Sequence, residues 1–456
     1  MALSQNSTSQ DDTNEHKPYL NPWRILEMNL GFLGLQFSFG LQQGQVTPIY
    51  KYLGAEDASI PLLALAGPLT GLIVQPIVGA LSDKTLSRWG RRTPYFVLGA
   101  IMCSVGLFFM PLSMSLMMAV SCLWIMDAGN NMTMEPYRAY ISDRLRPEQR
   151  QFGFLTQSAF TGLAQMLAFL APSIMVYVFG ISINDVDANN IPKFAKYAFF
   201  IGAFLSITTV LWSISRVPEL PLTEEEIQSI KGKPKGFIGT FGEIWHAIIE
   251  MPVAMRKLAL MSLFQWYGIS CYWGYVVLSI GRSVFGTADS SSEGFRVATL
   301  ANGEMAAFYN GLGFFAAFAM IPLAKRFGAN RLHALCLVLG GIGMLIIPNI
   351  TERWMLFLPA IGVGIAWASI MGNPYVILAN SIPADRTGVY MGIFNMMIVI
   401  PMLIVAATLP FFYNSLLGGD PGNVLRMSGV LLFLAAISVW WVKTDTSNQP
   451  PTPANI

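Results

Sequence analysis

GALSDKTLSRWGRRTP, residues 79–94, is a short cationic connection between two apolar runs. Asp83 stands at the end of the first run, and Arg88, Arg91 and Arg92 stand before the second. Gly79 and Gly90 leave the backbone free to approach closely and turn tightly. An acid at a helix end beside several guanidinium groups suits a charge-paired latch between two helix ends. The general enrichment of cytoplasmic loops in Lys and Arg explains the arginines, but it requires neither Asp83 nor Gly79.

The rest of the chain has the character of those apolar flanks. Of 456 residues, 54% are hydrophobic and 12% charged, and the mean hydropathy is +0.51. Soluble domains carry about twice that charged share, so a soluble enzyme is excluded. A net charge of +2 gives no basis for nucleic-acid binding. Cys103, Cys122, Cys271 and Cys336 are scattered through apolar runs and read as small core side chains. His16, His246 and His333 fall in polar or loop contexts without metal-ligand spacing. Neither a metal nor another cofactor is implied.

A membrane-crossing helix needs roughly 20 apolar residues, and about twelve runs meet that length. They lie near 25–50, 60–82, 93–112, 115–142, 153–180, 196–215, 255–282, 303–325, 331–349, 354–381, 387–413 and 423–443. The organisation expected is all-α: a polar, disordered tail over 1–23, a six-helix half over 24–216, a cytoplasmic loop over 217–253, a second six-helix half over 254–443, and a Pro-rich tail over 444–456. The first 23 residues lack the basic-then-apolar order of a cleaved signal. Cations collect in the even-numbered connections, as with Lys84, Arg88, Arg91 and Arg92, then Arg144, Arg146 and Arg150. Both termini are therefore expected in the cytoplasm. Near 240–252, TFGEIWHAIIEMP suits a helix lying on the membrane surface. Gly67 and Gly71 have the small-residue spacing that packs helices closely, and Gly362 and Gly364 sit in a similar setting.

The fourth run departs from apolar character. WIMDAGNNMTMEPYRAYISD, residues 124–143, holds Asp127, Asn130, Asn131, Glu135 and Arg138. Asp127 and Arg138 are eleven positions apart, close to a whole number of turns, so they share a helix face about 16 Å apart along the axis. Asn131 falls on nearly the same face. Ionisable groups at bilayer depth are costly and usually line pathways, although a cluster that merely joins helices has the same composition. Desolvation and a nearby cation act in opposite directions on a carboxylate's proton affinity. Asp127 is thus suited to exchanging a proton as its surroundings alternate between wet and dry, with Arg138 as a partner or a donor to substrate hydroxyls.

The pattern of Gly79, Asp83, Gly90, Arg91 and Arg92 resembles the cytoplasmic signature of the major facilitator superfamily, and PLAKRFGANR, residues 322–331, is a degraded echo of it in the second half. LQFSFGLQQGQVTPIYKYLG in the first run, AGPLTGLIVQPIVGALSDKTLSRWGRRTP in the second, MDAGNNMTMEPYRAYISD in the fourth and GVYMGIFNMMIVIP in the eleventh are similar to the sucrose/proton symporters of that superfamily. The short loops and tails suit a bacterial-type member of that glycoside-cation symporter group. The resemblance implies a fold of twelve transmembrane helices in two six-helix halves. It implies a plasma-membrane carrier of an α-glucoside disaccharide, sucrose or maltose, coupled to H+ and working by alternating access. It makes Asp127 the proton-binding group and a sugar contact, Arg138 its coupling partner and a substrate-binding residue, and Asn131 a sugar contact. By position, Gln36 and Asn395 join the same cavity, and Gly79, Asp83, Arg88, Gly90, Arg91 and Arg92 gate the cytoplasmic side. The bilayer and a small sugar are the partners implied, and a monomer is the default for this architecture.

One departure concerns specificity. In the seventh run the plant symporters carry an acidic and basic cluster, whereas this chain reads LFQWYGISCYWGY, with Gln265 and Trp266 in that region. A sugar preference different from theirs follows. Among the tryptophans, Trp266 and Trp367 are candidates for stacking on sugar, although most read as anchors or core. Glu304 has no assigned role. A sodium-coupled glycoside carrier and a non-transporting sugar sensor are the competing readings. A single Asp near the cavity favours the proton, where a second carboxylate beside it would favour sodium, and a sensor has no need for Asp127 to titrate.

Overall fold

The computed structural model describes residues 17–222, 249–379 and 387–440, with isolated positions between them. Residues 1–16 and 443–456, most of the central loop with its surface-helix segment, His16 and His246 lie outside the described residues. The described chain forms twelve helices of 17 residues or more: α1 (Pro22–Tyr52), α2 (Ala66–Lys84), α3 (Thr93–Phe109), α4 (Leu116–Arg144), α5 (Pro147–Tyr177), α6 (Lys193–Arg216), α7 (Val253–Ser283), α8 (Glu293–Phe327), α9 (Ala329–Ile346), α10 (Phe357–Ala379), α11 (Thr387–Phe412) and α12 (Pro421–Trp440).

Among the described residues, nine of these helical segments are long and apolar enough to cross a membrane. The other three are α1, α4 and α7, the helices whose apolar character is diluted by amides, hydroxyls and charges. Large apolar side chains such as Phe204, Phe315 and Ile437 are exposed on the outside, as a lipid-facing surface requires. Helix starts carry their own signals. Ser115 and Ser292 accept the backbone N–H of Met118 and Phe295 at the starts of α4 and α8, and Pro147 opens α5, where its missing N–H costs nothing.

Residues 17–23, expected within the N-terminal tail, are held in the fold. The Lys17 ammonium donates to Ser142 O, Arg146 Nε donates to Lys17 O, and the Gln149 amide exchanges two hydrogen bonds with the Leu20 backbone. Residues 17–20 are therefore tied to the facing ends of α4 and α5, and α1 begins at Pro22.

The chain divides into two compact units. The first comprises Met1–Ile49 and Thr70–Pro234, and the second Tyr50–Leu69 and Lys235–Ile456. Residues 50–69 thus leave the sequence half in which they were expected. Charge pairing accounts for this. Asp57 binds Lys51 Nζ at 2.5 Å and Arg282 Nη2 of α7 at 2.8 Å, and its backbone carbonyl accepts the Tyr275 hydroxyl at 2.6 Å.

In the first unit, Met28, Phe32, Phe96, Tyr137, Tyr140 and Val210 form a buried core where α1, α3, α4 and α6 meet. Gly99 and Gly129 set the approach of α3 to α4: a Cβ on Gly99 would lie 2.1 Å from Thr133 Oγ1 and 2.6 Å from the Gly129 carbonyl. With no space for a methyl, Gly99→Ala is expected to lower stability by about 1–3 kcal/mol. The check is the unfolding temperature of the detergent-solubilised protein, and an unchanged value would contradict so tight a crossing. Gly362 and Gly364 pack closely as expected, against the backbones of Leu339 and Tyr309. Gly71 does not: its nearest neighbour is Asn131 Oδ1, 3.7 Å from an added Cβ. All four cysteines are buried and free. His333, placed by its sequence in a polar or loop context, is instead fully buried in α9.

Candidate functional site

Asp127 lies in the interior of α4 and is 3% exposed. Its backbone carbonyl accepts the Asn131 amide at 2.9 Å. Its carboxylate has no ion pair among the described residues, and the polar side chain turned toward it is Gln42 of α1. The Gln42 amide nitrogen is itself buried without a hydrogen-bond partner. Three residues along α1, Gln45 is 1% exposed, and both of its amide atoms are buried and unpartnered. Buried polar atoms are nearly always satisfied in folded proteins, so orphans gathered on one helix mark a place where water or a polar ligand completes the set. The sequence signal was the run Gln42-Gln43-Gly44-Gln45 inside an apolar helix, which the sequence reading passed over in favour of Gln36.

The amides flanking Asp127 tie helices together. Asn130 donates to Ser38 Oγ at 3.0 Å and accepts the Cys103 thiol at 3.1 Å, joining α4 to α1 and α3. Asn131 donates to Thr70 Oγ1 at 2.9 Å and accepts Gln75 Nε2 at 2.6 Å, joining α4 to α2. Gln36 accepts Gln165 Nε2 at 3.0 Å, joining α1 to α5. With its bonding capacity largely spent on neighbours, Asn131 holds the frame beside Asp127, whereas Gln36 links α1 to α5 through its oxygen. Six residues separate Gln36 from Gln42, about 9 Å along α1.

Arg138 does not pair with Asp127. Its Nη1 is bound to Glu135 at 2.8 Å, and its side chain is 47% exposed. The shared face inferred from the eleven-residue spacing separates the two groups by three turns, beyond the reach of one guanidinium. Asn395 belongs to the second unit, where it is exposed on α11. Glu304, unassigned from sequence, receives Arg353 Nη2 at 2.6 Å and 2.7 Å, linking α8 to the segment before α10.

The loop between α2 and α3 forms a second constellation. Arg92, 4% exposed, binds Asp83 at 2.6 Å, Asp143 at 3.1 Å and Ser82 Oγ at 2.6 Å, while Arg91 binds Asp143 at 2.7 Å. This is the charge pairing between helix ends expected from the residues of 79–94, joined by Asp143 of α4. Arg88 and Gly79 stand outside it: the Arg88 guanidinium lies over the Trp89 ring at 5.5 Å, and a Cβ on Gly79 would meet only Glu135, at 3.9 Å.

A further member, Glu219, was missed. It follows α6, and its carboxylate accepts the backbone N–H of Arg91, Arg92 and Thr93 at 2.5–3.1 Å and the Thr93 hydroxyl at 2.6 Å. The N–H groups opening a helix have no intrahelical partner and favour negative charge, so Glu219 caps α3 from a distant part of the chain. Gly90 permits this: its φ is +105°, and an added Cβ would lie 2.6 Å from the Glu219 carboxyl group. Tyr140 donates to Val217 O, and Arg144 donates to Pro218 O at 3.2 Å, so the start of the central loop is clasped on both sides.

With this geometry established, comparison with known proteins places the arrangement. The profile described as Major Facilitator Superfamily matches residues 28–406. The sucrose transport protein SUC4 of Arabidopsis thaliana is 26% identical over 506 residues, covering 98% of this chain and 96% of its own. The general alpha-glucoside permease of Schizosaccharomyces pombe is 22% identical over 61% of this chain and 52% of its own. Among solved structures, a D-xylose-proton symporter has a similar fold, with a TM-score of 0.63 at 16% identity over 92% of this chain and 97% of its own.

Proposed function

The chain belongs to the Major Facilitator Superfamily, and from that premise we propose that this multi-pass membrane transporter moves an α-glucoside disaccharide, sucrose or maltose, together with a proton by alternating access. Twelve spans with both termini in the cytoplasm, residence in the plasma membrane and a monomeric state complete the proposal. The observation that carries it is the Asp127 site. A carboxylate buried without an ion pair among the described residues stands on a helix too polar to pass as an ordinary span, α1 turns Gln42 toward it, and the unsatisfied amide of Gln45 lies one turn along that helix. The protonation of such a group follows its hydration, which is the property a proton-coupled carrier needs. The amides supply both donors and acceptors, as sugar hydroxyls demand. The relatives named for sucrose and α-glucosides support the substrate class.

The proton is preferred over sodium because the next acid along α4, Glu135, is two turns away and bound to Arg138. A sensor reading lacks a role for an unpaired acid at this depth.

The test is uptake of labelled sucrose by energised vesicles, in competition with maltose, trehalose and lactose, together with sugar-dependent alkalinisation of the medium. Inhibition by sucrose and maltose, with alkalinisation on sugar addition, is the expected result. A strict sucrose-only profile would contradict the specificity drawn from Gln265 and Trp266. Sodium-dependent uptake without proton movement would replace the coupling ion.

A further inference from the structure

One end of the first unit carries a cavity that no step above uses. Its volume is about 950 Å³, and it lies where α2 ends, α3 begins and α6 gives way to residues 217–222. Sites for small molecules usually measure about 300–1,000 Å³. Val97 of α3 and Leu211 and Ile214 of α6 line it from the helices. Leu86 and Trp89 of the α2–α3 connection and Leu220 of the segment after α6 line it from the loops. Both loops read as polar connections in the sequence, yet both bring apolar side chains to this one concavity, and Leu86, Trp89 and Leu211 are exposed there. Exposed apolar side chains gathered together and rimmed by polar groups mark a contact with a ligand or with the membrane.

The charges of the lining are two arginines and one glutamate, Arg88, Arg91 and Glu219. Glu219 is engaged by the N–H groups of Arg91, Arg92 and Thr93 and by the Thr93 hydroxyl. Arg91 is paired with Asp143. Arg88 has no ion pair among the described residues, and its guanidinium lies over the Trp89 ring at 5.5 Å. A guanidinium held against an aromatic face keeps N–H groups for a phosphate, which it matches in a two-pronged geometry. Trp89 and Trp212 are both exposed, and the Arg216 guanidinium lies 4.6 Å over the Trp212 ring near the end of α6. Exposed tryptophans close to helix ends stand at the boundary between membrane and water. The cavity is therefore at headgroup level, with its helix residues on the acyl-chain side and its loop residues toward water.

We propose that this cavity is a site for one anionic phospholipid of the adjoining leaflet. Arg88 holds the phosphate, and the first part of an acyl chain lies along Val97, Leu211 and Ile214. The positive lining complements an anionic headgroup. A zwitterionic headgroup finds no acid in the lining for its ammonium, because Glu219 is already bonded to the start of α3. The inference needs only a chain embedded in a membrane, so it is independent of the sugar and of the coupling ion.

Native mass spectrometry of the delipidated protein tests it, with phosphatidylglycerol and phosphatidylcholine of identical acyl chains as probes. The wild type is expected to retain one phosphatidylglycerol at least about fivefold more tightly than phosphatidylcholine, the scale of one arginine at an anionic headgroup. Arg88→Gln removes that preference, whereas Arg331→Gln, at an exposed position near the start of α9, keeps it. Leu211→Trp fills the apolar side of the cavity and lowers retention of both lipids. Phosphatidylglycerol with a photoactivatable acyl chain marks residues 211–222 of the wild type, a readout that requires no variant to fold. Equal retention of the two lipids, an equal loss in Arg331→Gln, undiminished retention by Leu211→Trp, or marking confined to other helices would overturn the proposal. So would displacement of the lipid by inorganic phosphate at equal concentration, which would make this a site for a free anion.

Discussion

Asp127→Asn is expected to abolish uphill sugar accumulation while leaving exchange of sugar across the membrane. A gradient of about 100 mV is worth about 2.3 kcal/mol per proton, enough for an accumulation of about 50-fold with one proton per sugar. Asparagine preserves the size and much of the hydrogen bonding of the carboxyl group, so the surrounding frame built by Asn130 with Ser38 and Asn131 with Thr70 is retained. What it removes is the exchangeable proton. Sugar is then driven only by its own gradient, and the concentrations on the two sides become equal. Counterflow in unenergised vesicles measures the retained exchange, and energised vesicles measure the lost accumulation. Full proton-driven accumulation by the variant would remove Asp127 from the coupling mechanism. Gln42→Ala is the companion measurement: its effect should fall on KM, because Gln42 contributes an amide to the site and no proton.

The second large effect is at Gly90. Gly90→Ala places a side chain on a residue with φ +105°, a strain of about 1–3 kcal/mol, and drives its Cβ to 2.6 Å from the Glu219 carboxyl group. Relieving that clash displaces Glu219 from the start of α3, with loss of charge-assisted hydrogen bonds worth about 1.5–3 kcal/mol each. A loss of at least about 3 kcal/mol is expected by that accounting, read as a fall of several degrees in unfolding temperature and loss of transport. Glu219→Gln keeps an acceptor at the helix start and loses only the charge, so its effect should be smaller. The double variant Gly90→Ala with Glu219→Ala removes the clash but leaves the backbone strain, and should recover only part of the stability. A Gly90→Ala protein as stable as wild type would show that neither the positive φ nor the close carboxylate governs this loop.

The legible parts of the site were those set by unusual residues in an apolar background. Asp127 stood out because an acid in a long apolar run is rare and costly, and the Arg91–Arg92–Asp83 latch because its acid and arginines lie within ten residues. Gln42 and Gln45 carry no charge, and an amide in an apolar run gives a weak signal. Only the azimuth of α1 shows that Gln42, and not Gln36, is turned toward Asp127. Glu219 lies more than 120 positions from the helix it caps, in a segment that reads only as the start of a polar loop. Its role depends on α6 ending beside the α2–α3 connection.

Sequence alone determined the membrane class, the helical character of every long run and the presence of an acid inside the fourth of them. Each of these follows from the length and hydropathy of a local window, and from the rule that backbone in lipid must bond within its own helix. Tertiary structure decided which groups meet: Arg138 with Glu135, Arg92 with Asp143, Asp57 with Arg282. Helical periodicity places a side chain on a face, but a hydrogen bond of 2.6–3.1 Å requires the partner helix's rotation and height, which arise only when side chains on many helices pack together at once.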